Sequence, residues 1–179
     1  MLAFDIDDRR INAIADEFAA TPKQVDMAYR RAMKRTAGTL RRIATSGLKT
    51  ELGLRNTQAL RRRIKEYRIG GQRGRGVRLW FGANDLPLSA FKGRAQKTAS
   101  GVKFGGITIH GAFLAKRGGK RGVFRRVGSS AFPIAEVLMP VADRIMVFIE
   151  DNVFVDLEAI FFKNFAAEIR ARTIFGVGG

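Results

Sequence analysis

The chain has 179 residues, 46% of them hydrophobic, with 33 Lys plus Arg against 16 Asp plus Glu, a net charge of +17 and a pI near 11.4. That size and apolar content suffice for a real core in a domain of ordinary length, which excludes a wholly disordered chain. The lack of cysteine excludes disulfides, thiol nucleophiles, zinc fingers and iron-sulfur sites, and a single histidine, His110, excludes a multi-histidine metal site within one chain. The opening MLAFDIDDRR has no basic end followed by an apolar run, and no stretch approaches the ~18 uninterrupted apolar residues of a membrane span. The expectation is a soluble protein, cytoplasmic where it is made.

The charge is uneven. Residues 1–20 carry 2 basic and 5 acidic side chains, residues 21–128 carry 27 and 4, and residues 129–179 carry 4 and 7. A basic middle between mildly acidic, apolar ends generates a field that anions or acidic protein surfaces feel, although its sign does not name the partner.

Asp7 and Asp8 precede Ile11, Ile14 and Phe18, spaced three and four apart, which predicts a short amphipathic helix or arm over residues 1–20. Thr21-Pro22 is a helix start, and a basic amphipathic helix follows to about Leu52. Its apolar or small side is Val25, Tyr29, Ala32, Thr36, Leu40 and Ile43, and Arg30, Arg31, Lys34, Arg35, Arg41, Arg42 and Lys49 fill much of the rest. Gly53 breaks it. Asn56 or Thr57 then caps a further turn or two of helix through Ala59, Leu60 and Ile64, studded with Arg61, Arg62, Arg63 and Lys65.

The segment GGQRGRG (70–76) has no apolar residue and is expected to be a mobile loop unless a partner orders it. Strands are predicted at 77–81, 102–104, 107–110, 112–116 and 123–127, the last two joined as a hairpin through the basic tip Arg117-Gly-Gly-Lys-Arg121. Pro133–Leu138 is a further strand, stopped by Pro140. In the final segment Phe154, Leu157, Phe161, Phe165 and Ile169 recur at helical spacing, with Val153, Ile160, Phe162 and Ala166 widening the apolar surface. Such a helix is covered on two sides, either as a central core helix or with Phe154, Phe161, Phe162 and Phe165 facing a neighbouring subunit. The order of elements predicts an α+β fold with one domain over 21–174 and a frayed tail at 175–179.

Catalytic constellations are hard to find. His110 lies in ITIHGAF with no carboxylate, hydroxyl or second ligand nearby, and reads as a structural strand residue. Asp5, Asp7 and Asp8 stand where carboxylates cap a helix, and Glu150 and Asp151 are expected just ahead of the last one. The glycines of GGQRGRG do not follow a strand and open a helix, and they lack the Lys-Ser or Lys-Thr ending of a phosphate-cradling loop. Neither a cofactor nor a metal is expected. The basic surface is the main chemical signal, suited either to nucleic acid, by neutralising phosphates, or to an acidic protein surface.

Five ordered segments carry a resemblance: LRNTQALRRRIKEYRI (54–69), VRLWFGANDLPLSAF (77–91), GGITIHGAFLAK (105–116), GVFRRVG (122–128) and FPIAEVLMPVADRI (132–145), the last before a long terminal helix. Together the chain resembles the minor tail protein Z family of lambda-like long-tailed phages and prophages, the tail-completion proteins. The resemblance implies a virion structural protein without catalysis, acting at the head-proximal end of the tail in tail maturation, head-tail joining and DNA positioning. It also implies as neighbours the tail terminator, the tail tube or tape-measure end and packaged DNA, with copies arranged in a ring and no membrane or small-molecule substrate. Within such an assembly the candidates for DNA or partner contact are Arg61, Arg62, Arg63, Arg73, Arg75, Arg117, Lys120 and Arg121. The alternative is a sequence-independent nucleic-acid-binding module that never enters a particle.

Overall fold

The structure, a computed structural model, describes residues 6–69 and 76–177. Helices at both ends of the chain flank antiparallel strands, an α+β architecture. The chain divides into two compact units, one of residues up to 44, 64–81 and from 149, the other of residues 45–63 and 82–148. Of the helix or arm expected over residues 1–20, residues 8–17 form a helix that belongs to the first unit.

In the first unit, α1 (Asp8–Glu17) is capped by Asp7, whose carboxylate accepts from the Arg9 amide at 3.0 Å. The second helix, α2 (Pro22–Glu51), opens with a reciprocal cap. The Thr21 amide donates to Gln24 Oε1 at 2.8 Å, and the Gln24 amide reaches back to Thr21 Oγ1 at 3.4 Å. Proline in the first helical position loses nothing there, because its missing N–H would have no intrahelical partner. The face predicted as apolar is the inward one: Ala32, Thr36 and Leu40 are buried, and Val25, Tyr29 and Ile43 half-buried.

The last helix, α5 (Leu157–Thr173), lays Phe161, Phe162, Phe165 and Ile169 on Ala28 and Ala32 of α2 and Ile11 of α1. Two alanines one turn apart leave room for three phenylalanines. The Phe161 ring stacks on Phe165 at 5.9 Å between centroids and meets Tyr29 edge-on at 5.4 Å, and the Arg10 guanidinium lies 4.2 Å over Phe162. This corrects the subunit-interface assignment. Phe161, Phe162 and Phe165 are consumed by the chain's own core, and Phe154 is half-buried with its ring edge-on to Phe81 at 6.0 Å.

A ribbon of β1 (Ile64–Ile69) and β2 (Gly76–Phe81) completes this unit, with Ile64 opposite Phe81 and Lys65 opposite Trp80. The helix predicted through Ile64 and Lys65 is therefore short: α3 (Gln58–Arg61) lasts four residues, and the chain turns into a strand. In IKEYRI the β-branched and aromatic residues favour a pleated surface, and a complementary partner follows in GVRLWF; pairing outweighs the Leu60–Ile64 helical spacing. Of GGQRGRG, residues 70–75 lie outside the described residues.

The second unit holds two three-stranded antiparallel sheets. One is built from β4 (Ala95–Thr98), β5 (Gly101–Phe104) and β6 (Ile107–His110), the other from β7 (Ala112–Arg117), β8 (Lys120–Arg126) and β9 (Ile134–Glu136). A small pair, β3 (Leu86–Pro87) with β10 (Leu138–Met139), adds to them. Leu88, Val102, Ala112 and Val123 form the buried centre. Arg55 ties two loops, donating from Nε to the Phe91 carbonyl at 2.7 Å and from Nη2 to that of Gly93 at 2.6 Å.

After Pro140, α4 (Ala142–Asn152) precedes α5, so Glu150 and Asp151 are exposed in the last turn of α4, and the N-cap position of α5 is held by Asp156. The signal for α4 is Val141, Ile145 and Ile149 at four-residue spacing, all buried. Within the second unit α4 meets the end of α2 closely: a Cβ built on Gly47 would stand 2.2 Å from Phe148 Cζ.

Candidate nucleic-acid interface

The β7–β8 hairpin concentrates the charge. Its register pairs Leu114 with Val123, Ala115 with Gly122, Lys116 with Arg121 and Arg117 with Lys120, so the connection is only Gly118-Gly119. Both glycines have positive φ, +55° and +80°, the pattern of a two-residue turn whose twist matches that of paired strands. The predicted five-residue basic tip is thus two residues of turn, and its cations stand on paired strands.

Register fixes where those cations point. Residues opposite one another share a face and neighbours along a strand alternate, so Arg117 and Lys120 lie on one face and Lys116 and Arg121 on the other. All four are exposed, and none has an acidic partner within 4 Å among the described residues. The third strand, β9, pairs only with Phe124–Arg126, so outward from Val123 the ribbon is two strands wide. Like charges directly opposite each other on a sheet cost roughly 0.2–1 kcal/mol per pair. Two such pairs, Lys116 with Arg121 and Arg117 with Lys120, stand next to each other at the turn end of the ribbon.

The other candidates divide. Arg61 and Arg62 are exposed at the end of α3. Arg63 is half-buried and donates to the carbonyls of Asn84 and Asp85, the latter at 3.0 Å, so it also anchors a loop. Arg73 and Arg75 lie outside the described residues. Lys116 belongs with the hairpin set and is absent from the sequence candidates. Its strand assignment hid it, and pairing across a Gly-Gly turn is the signal that recovers it.

His110 is exposed at the end of β6, opposite Gly101. Among the described residues no group of three or more His, Asp and Glu is placed to hold a metal ion, and no helix is long and apolar enough to cross a membrane. The arrangement provides fixed positive charge on both faces of a narrow ribbon. No family model, curated protein or solved structure matches the chain.

Proposed function

We propose that this chain is a structural tail-completion protein of a long-tailed phage, placed at the head-proximal end of the tail, where it serves tail maturation, head-tail joining and DNA positioning. The observation that carries the reading is the cationic hairpin end, Lys116, Arg117, Lys120 and Arg121, exposed on both faces and without acidic partners among the described residues. A ribbon charged on both sides suits a crowded junction where DNA or an acidic neighbour approaches from either side, because exposed cations of this kind contribute little to the fold itself. The ordered segments between residues 54 and 145 support the placement by their resemblance to minor tail protein Z. In this reading the neighbours are the tail terminator, the tube or tape-measure end and packaged DNA, copies form a ring, and no cofactor or catalysis is involved.

Immunogold labelling of particles with an antibody to this chain tests the reading. Label confined to the head-proximal tail tip is expected; abundant particles that lack the chain by both label and mass spectrometry would refute it.

The same hairpin favours a second reading, a sequence-independent nucleic-acid-binding module outside the virion, since the major groove of a duplex admits a two-stranded ribbon. That reading requires tight, steeply salt-dependent DNA binding with no tail partner.

A further inference from the structure

The first unit carries a shallow, open pocket of about 350 Å³, lined by Arg35, Gly38, Thr39 and Arg42 of α2 and by Asn164 of α5. The four α2 positions stand at i, i+3, i+4 and i+7, which places them on one helix face. No carboxylate lines the pocket. The acid that touches its rim, Glu168, is buried and doubly engaged. It accepts from Arg35 Nη1 at 2.8 Å on Oε1 and from Arg172 Nη1 at 2.6 Å on Oε2. Its charge is therefore met by two guanidiniums, and its grip holds the Arg35 fork in place. Asn164 is held as well, donating from Nδ2 to the buried Thr36 Oγ1 at 3.0 Å, which leaves the second amide hydrogen for another acceptor. Arg42 is exposed and has no acidic partner within 4 Å among the described residues. At Gly38 the helix surface is bare: a Cβ there would meet nothing within 4 Å.

We propose that this pocket holds a phosphate group. The Arg35 and Arg42 guanidiniums supply planar forks matched to its oxygens, the Thr39 hydroxyl and the Asn164 amide supply further donors, and Gly38 lets the group approach the helix. Two sources share this chemistry, the backbone of a nucleic acid and free phosphate. The site belongs to the first unit and the hairpin to the second, and the proposal does not depend on the assembly reading.

Amide NMR of the full chain, titrated with inorganic phosphate and separately with a short DNA duplex at constant ionic strength, tests it. Saturable shifts are expected at the Gly38 and Thr39 amides and the Asn164 side-chain amide. Arg42→Gln should weaken the effect about tenfold, the scale of one lost charge-assisted contact. Gly38→Glu should abolish it by placing a carboxylate in open space, and Lys97→Gln, which removes an exposed cation of β4 outside the pocket, should preserve it in an equally folded control. Shifts from the duplex alone identify a nucleic-acid backbone as the source, and shifts from inorganic phosphate identify the phosphate group itself as sufficient. No shift with either probe, shifts that survive Arg42→Gln undiminished, or equal shifts from chloride would overturn the proposal.

Discussion

Two glycines of α2, Gly38 and Gly47, offer a matched experiment, because the same substitution has opposite consequences nine residues apart on one helix. Glycine inside a helix is about 0.8–1 kcal/mol worse than alanine, so Gly→Ala should stabilise wherever the methyl group has space. At Gly38 the space is empty out to 4 Å, and Gly38→Ala should gain roughly 0.5–1 kcal/mol. At Gly47 the same carbon would lie 2.2 Å from Phe148 Cζ and 2.7 Å from Cε1, where ordinary contact begins at 3.4 Å. The ring or the helix must yield by about an ångström, and overpacking of that kind costs typically 1–3 kcal/mol. Gly47→Ala should therefore be neutral to destabilising by about 2 kcal/mol, and the two variants should differ by about 1–3 kcal/mol. Urea denaturation followed by helical circular dichroism measures both. Adding Phe148→Leu should recover part of the Gly47→Ala loss as a coupling energy that the Gly38→Ala background lacks. If Gly47→Ala stabilises as much as Gly38→Ala does, the close approach of α4 to α2 is wrong.

Replacing Lys116, Arg117, Lys120 and Arg121 together by Gln should reduce the slope of log K against log salt for duplex DNA by up to about 3.6, four phosphates at 0.9 each, while thermal stability is unchanged or slightly raised; fluorescence anisotropy across salt concentrations measures it. Phe165→Ala should cost about 3–5 kcal/mol, because its ring is fully buried and stacked on Phe161, and calorimetry should show the loss as lowered stability of the single chain, independent of protein concentration. Glu168→Ala should cost about 3–5 kcal/mol by denaturant melt, since it strands Arg172, whose side chain is 3% exposed, without its carboxylate; Glu168→Gln, which keeps an acceptor, should cost less.

Local signals carried the helices well. Asp7, Thr21-Pro22 and the spacing of Ala32, Thr36 and Leu40 are short-range features whose physics is complete within a few residues, and both caps and the buried face agree with them. Turn chemistry likewise marked the β7–β8 hairpin, although its register, and with it Lys116, depends on a count across the turn. Long-range competition was not legible. Ile64 fits a helix by its spacing to Leu60, and only a partner strand more than ten residues on makes it a strand residue. The phenylalanines of α5 could have met another subunit or their own core; the small residues that receive them, Ala28 and Ala32, lie at the other end of the chain. The division into two units interleaved along the sequence has no local signature at all. For the basic surface, composition supplied the sign of the charge, and register supplied its direction.

The partnership of α5 with α2 also sets a clock. The alanine groove of α2 is synthesised near the start of the chain, and the phenylalanines that fill it arrive with the last helix. At roughly 5–20 residues per second, the groove waits several seconds to about half a minute on the ribosome before its own ligand emerges. The first unit therefore closes only after α5 has been made. A chain cut short anywhere before α5 exposes an apolar groove, which makes it a substrate for chaperones or proteases instead of a competitor for the intact protein's place.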